Sequence, residues 1–194
     1  MTKIIYLARN LGLRKRFVYD RRGTVAIEWA IVAIPFFAII GAIIDMSYTA
    51  WVSINLHNSL NDAARTIQTG QFQKNTSTIT DTSQLVNSFR DQLCMPDGTN
   101  KRLLFVDCAD VKVQVQTFTS MSTATADPVL DASTKQWSST FGKKYSQAGA
   151  NTFVVAQAAT KIPVWFNILK VTQDFDDGSR LVEATAVIRT EPFN

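Results

Sequence analysis

Few side chains in this sequence have the types and spacing that chemistry requires. His57 is the only histidine among the 194 residues, so a Ser-His-Asp or Cys-His arrangement would have to use it. It stands between Asn55 and Asn58 on the polar side of a helical pattern, the setting of a solvated surface residue. Asp131-Ala132-Ser133-Thr134-Lys135 puts Lys135 where a D-x-S-x-S cation site needs a second hydroxyl. Asp174-Phe175-Asp176-Asp177-Gly178 has its glycine one place too early for an EF-hand loop. A hairpin turn before a strand accounts for it better. Zinc needs several Cys or His ligands at close spacing, and Cys94, Cys108 and His57 do not supply them. There is no glycine-rich phosphate loop. The expectation is a protein that is not an enzyme, with no cofactor, no metal and no small-molecule substrate. Three features remain to be explained: Glu28 inside an apolar run, Gly23 five residues before it, and the cysteine pair.

The element that must carry Glu28 is a long helix. From Thr24 to Ile44 the chain reads T-V-A-I-E-W-A-I-V-A-I-P-F-F-A-I-I-G-A-I-I, and Asp45 closes the run. At ~1.5 Å per residue, about 21 helical residues cover ~31 Å, enough for a bilayer core. Hydrophobic residues make up 46% of the chain and charged ones 19%, but a large share of the former lies between Val25 and Ile44. The rest has an ordinary soluble composition. The formal charge of +4 and pI near 9.2 are likewise local. Lys3, Arg9, Arg14, Lys15, Arg16, Arg21 and Arg22 face only Asp20 before Gly23, a balance of +6 that leaves −2 for everything after it. Basicity is therefore a flank of the membrane segment and not a nucleic-acid footprint. Residues 1–23 are expected to form a basic cytoplasmic leader, residues 24–44 a transmembrane helix, and residues 71–194 a head on the far side. A cleavable secretory signal fits poorly, because the apolar run is too long and Asp45-Met46-Ser47-Tyr48-Thr49 is no small-residue cleavage site.

Beyond Asp45 the helical pattern continues without Gly or Pro to Thr69, with an apolar stripe of Leu56, Leu60, Ala63 or Ala64, and Ile67. Gly70 is the expected stop, and Pro35 the expected place of a kink. An ionisable side chain within an apolar span costs ~2–3 kcal/mol on insertion scales, so Glu28 needs a partner or a purpose.

The run R-R-G-T-V-A-I-E-W followed by aliphatics resembles the recognition site of prepilin peptidases, which cut after a Gly with Glu at the fifth mature position. With H-N-S-L-N-D-A-A-R-T-I-Q-T-G it is similar, over 21–70, to the TadE-like family, the minor pilins (pseudopilins) of the bacterial Tad, or tight-adherence, pilus system. The closing stretch D-D-G-S-R-L-V-E-A-T-A-V-I-R-T-E-P-F also resembles the C-terminal strand of alphaproteobacterial members. Trp29 departs from the Phe or Tyr more usual after the Glu, an aromatic-for-aromatic change. The resemblance implies cleavage between Gly23 and Thr24, an assembly role for Glu28, and a pilin-like α+β fold. It also implies a place in the inner membrane or the surface pilus, and a role in pilus assembly and adherence. The implied partners are other Tad pilins, the prepilin peptidase and the inner-membrane assembly platform. An uncleaved single-span scaffold of an envelope secretion complex is the alternative.

The head itself reads as a helix over Thr82 to Cys94, capped by Thr82 or Ser83, and a half-buried strand in which Val111, Val113 and Val115 alternate with polar residues. A strand over Asn151 to Gln157 precedes Pro163, and a last strand carries Val182, Ala184, Ala186 and Ile188. Ser120 to Gly149 reads as a long loop anchored by Trp137 or Phe141. A small antiparallel sheet on the outer half of the long helix is the expected architecture. In an oxidising compartment the even cysteine count favours a Cys94–Cys108 disulfide, with two buried thiols as the other reading.

Overall fold

A computed structural model describes residues 23–95, 102–103, 106–166 and 174–192. The expected basic leader, Arg21 and Arg22 included, lies outside the described residues. The chain divides into two units, Met1–Ile43 and Ile44–Asn194.

The fold is α+β: one long N-terminal helix and a small antiparallel sheet. Helix α1 spans Thr24–Gln68 and passes Pro35 without a break. Within the first unit its aliphatic and aromatic side chains stand exposed, Val25, Ile27, Trp29, Ile31 and Ile34 among them. It is long and apolar enough to cross a membrane. The helix stops where the sequence places a stop: Gly70 has φ +74°, the left-handed region that glycine reaches without a Cβ clash. A short helix not anticipated from the sequence, α2 (Gln71–Asn75), follows directly.

In the second unit α3 (Thr82–Cys94) begins at Asp81, whose carboxylate accepts from the Ser83 N–H at 2.9 Å. Asp81 thus takes the capping role expected of Thr82 or Ser83, because it is the last residue with extended backbone before the first turn. The main sheet has the order β1 (Lys112–Phe118), β4 (Phe153–Ile162) and β5 (Arg180–Arg189), all antiparallel. Val115 faces Ala156, and Ala156 faces Ala186. β4 extends to Ile162 and not only to Gln157, ending as Pro163 removes the next backbone donor.

The core lies between this sheet, α3 and the outer part of α1. The anticipated stripe of Leu56, Leu60, Ala63 or Ala64, and Ile67 is buried, with both alanines and Val52 in it, in one core with Phe72, Phe89, Leu93, Val113, Val115, Val154 and Ala158. Phe72, Phe89 and Tyr145 form an aromatic group with centroids 5.6–6.3 Å apart.

The other face of the sheet departs from the half-buried expectation. Gln114 is fully buried, because residues of the long 120–149 segment cover it. Asp127 accepts from Gln114 Nε2 (2.8 Å), Gln116 Nε2 (2.7 Å) and Lys144 Nζ (2.7 Å). Gln157, which faces Gln114 across the strands, clamps the Asp127 backbone by accepting from its N–H and donating to its C=O, each at 3.0 Å. The segment also contains a small hairpin, β2 (Leu130–Asp131) with β3 (Gln136–Trp137). Phe141 is buried and stacks with Trp137 at 6.3 Å, so both aromatics named as alternatives anchor it.

Candidate processing and assembly site

Gly23 immediately precedes the first helical residue, Thr24. Among the described residues, nothing lies within 4 Å of a Cβ placed on Gly23. Glu28 is exposed one turn into α1 and borders a shallow open depression with Trp29 and Val32. Gly23, Thr24 and Glu28 thus fall on one helical start, Glu28 four residues beyond Thr24, which is one turn.

Cys94 at the end of α3 and Cys108 just before β1 are both buried and both free thiols. They are close enough to hydrogen-bond, and burial, the largest influence, pushes the Cys94 thiol well above its ordinary range, with Cys108 adding to it. The expected bridge would join neighbours, yet a protonated buried thiol is a poor nucleophile.

The residues set aside as non-catalytic have structural work. His57 is exposed. Asp131 Oδ1 accepts from the Ser133 N–H (2.8 Å), Ser133 Oγ (2.6 Å) and the Thr134 N–H (3.3 Å), closing the β2–β3 turn. Those bonds lower the Asp131 carboxyl below its usual range. The turn before β5 is built by Gly178 at φ +84°, by Asp177 accepting from the Ser179 N–H (3.1 Å), and by Asp174 accepting from the Leu181 N–H (2.9 Å). Asp177 also pairs with Lys161, and this bond, followed by those from Ser179, draws its carboxyl down to about 2.

One constellation was missed from the sequence. Asp45 is 4% and Arg180 7% exposed, and they form an ion pair at 3.0 Å. Arg180 Nη1 also donates to Thr49 Oγ1, Thr49 Oγ1 donates to the Asp45 carbonyl at 2.9 Å, and the Trp165 N–H reaches Asp45 Oδ1 at 3.3 Å. Trp165 stacks on Tyr48 with centroids 5.0 Å apart. Asp45 had signalled only the end of the apolar run. Its partners lie 120 and 135 positions away, a separation that no local pattern encodes.

The geometry defines a class: an apolar N-terminal helix with one carboxylate near its start, continued into a small head of helix and antiparallel sheet. Residues 23–65 match the family model described as TadE-like protein, within the 21–70 segment that carries the resemblance in the sequence. No curated protein and no solved structure matches the chain.

Proposed function

We propose that this chain is a minor pilin of a Tad pilus. It is inserted as a prepilin with its basic leader in the cytoplasm, cut by a prepilin peptidase between Gly23 and Thr24, and assembled with other pilins into a surface fibre that mediates adherence. Its role is structural and not catalytic. The head lies on the periplasmic side, where the compartment's disulfide machinery joins Cys94 to Cys108 during folding, before the core closes over them.

The observation that carries this reading is the coincidence of three boundaries. The TadE-like match begins at residue 23, helix α1 begins at Thr24, and among the described residues nothing crowds a Cβ placed on Gly23. A glycine that no described neighbour crowds points to an external reader, and a protease cleft that admits only glycine is such a reader. Glu28 supports it too. Among the described residues no hydrogen bond or ion pair involves its carboxylate, so the amine freed at Thr24, on its own chain or a neighbour, is available as its counter-charge.

Mass spectrometry of the protein recovered from its native host tests the proposal. The expected mature chain starts at Thr24, and Gly23→Leu leaves the leader attached. Recovery of full-length chain alone, in cells with an active prepilin peptidase, would overturn processing and favour the uncleaved scaffold.

A further inference from the structure

Trp165 and Phe166, just after the end of β4, are 59% and 43% exposed. Trp165 is not loosely held. The Trp165 N–H is fixed to Asp45 Oδ1 and its ring to Tyr48, and Asp45 is itself locked by Arg180. These contacts tie an exposed aromatic pair to a defined height on α1. Ile44 is the last residue of the apolar run, Asp45 follows it, and Tyr48 lies four residues on. At ~1.5 Å per residue that is ~6 Å beyond the apolar boundary. The polar layer on each side of a bilayer core is about 5–8 Å deep, so Tyr48 and Trp165 stand at headgroup level. Tyr and Trp are enriched at that depth because an apolar ring and a polar N–H or O–H are both satisfied there.

We propose that Trp165 and Phe166 form a second membrane contact, inserting among the lipid headgroups and upper acyl chains of the bilayer that α1 crosses, and so seat the head on its surface. This rests on the membrane-anchor reading of α1. The lipid surface is the occupant because the contacts to Asp45 and Tyr48 set the pair's depth by chain continuity with the spanning segment. The contact is also reversible by design: two aromatic side chains at an interface hold the head in place but release it when α1 is drawn into a fibre.

The test uses the full chain reconstituted in liposomes, with tryptophan fluorescence quenched by brominated lipids. One variant, Trp29→Phe/Trp51→Phe/Trp137→Phe, leaves Trp165 as the sole indole. A second, Trp51→Phe/Trp137→Phe/Trp165→Phe, leaves Trp29. Trp165 emission is expected to be blue-shifted, and quenched more by lipids brominated near the headgroup end of the acyl chain than by those brominated near the terminal methyl. Quenching of Trp29 with water-like, unquenched emission from Trp165 would overturn this inference and leave the anchor standing. An unquenched Trp29 would overturn the anchor and the inference with it. On the unsubstituted chain, a photoreactive headgroup lipid should give adducts at Trp165 or Phe166. Adducts confined to α1, or shielding of the pair only when another pilin is present, would assign the surface to a protein partner and refute the lipid contact.

Discussion

Replacing Asp45 or Arg180 should destabilise the head more than any surface change. With both side chains nearly excluded from solvent, removing one partner strands the other as a buried charge. Such single losses typically cost ~3–5 kcal/mol. Asp45→Asn retains an acceptor for the Trp165 N–H and keeps the volume, so its cost should lie near the lower end of that range. Arg180→Met removes the donors to both Asp45 and Thr49 and strands the carboxylate, which should place it near the upper end. Because the two share one interaction, the double variant Asp45→Asn/Arg180→Met should lose less than the sum of the singles, by ~0.5–3 kcal/mol. Domains of this kind have total stabilities of about 5–15 kcal/mol, so the single losses are a large fraction and readily measured. The assay is urea unfolding of the full chain in detergent micelles, followed by near-ultraviolet circular dichroism, which reports the packed aromatics of the head. Single variants within ~0.5 kcal/mol of the parent, the scatter of ordinary surface substitutions, and additive in the double, would mean that the pair is solvated and does not fix the head to α1.

Four further outcomes follow from the same structure. Phe89→Ala removes a fully buried ring from the aromatic group at the centre of the core and should cost ~3–5 kcal/mol by the same unfolding assay. Non-reducing peptide mapping of protein from the periplasm should find Cys94 linked to Cys108, a bridge worth ~3 kcal/mol for a loop of about 15 residues; two alkylatable thiols in the folded protein would contradict it. Glu28→Gln should leave protein level and membrane insertion intact while reducing co-purification with other pilins and the number of pili per cell; unchanged piliation and pulldown would make the charge incidental. Asp127 and Asp177 have carboxyls drawn below the ordinary 3.8, Asp177 to about 2. A lowered folded value stabilises above the unfolded one, so their contribution should be complete above about pH 4 and fade as pH falls towards 2. Limited proteolysis across that window should find the 120–149 segment and the turn before β5 opening first.

The parts of the fold legible in the sequence were those written as a local period. The stripe Leu56, Leu60, Ala63, Ile67 announced its buried face, Gly70 its stop, and the alternation from Val182 to Ile188 its strand, because helix and strand periodicity is repeated within a few residues. What stayed hidden depends on partners distant in sequence. Gln114 read as a solvent-facing member of an alternating strand, yet it is buried, with Gln157 opposite it, where Asp127 and the long segment cover the sheet. Asp81 outcompeted Thr82 and Ser83 as the helix cap by a difference of one residue, the margin at which boundaries are least well encoded. Of the candidate site, Gly23 and Glu28 were legible from type and spacing alone, while Arg180 gave no sign that it would reach back to Asp45.

Glu28 and Asp45, two of the three carboxylates of α1, lie near the two ends of its apolar run. Both cost free energy if left unpaired near lipid, and the chain treats them differently. Asp45, the first residue after the apolar run, is neutralised from within: Arg180 and the Trp165 N–H converge on its carboxylate, so its charge is used to fix the head to its own helix. Glu28 is left exposed at the opposite end of that run, beside Trp29 and Val32, with no ion pair among the described residues. Among the described residues, Glu28 has no arginine partner such as Arg180 gives Asp45. On the proposed minor-pilin reading, a neighbouring chain that brings a positive charge would recover that cost at the moment of contact. On that reading the helix fixes its head through Asp45 and offers its N-terminal turn to another subunit.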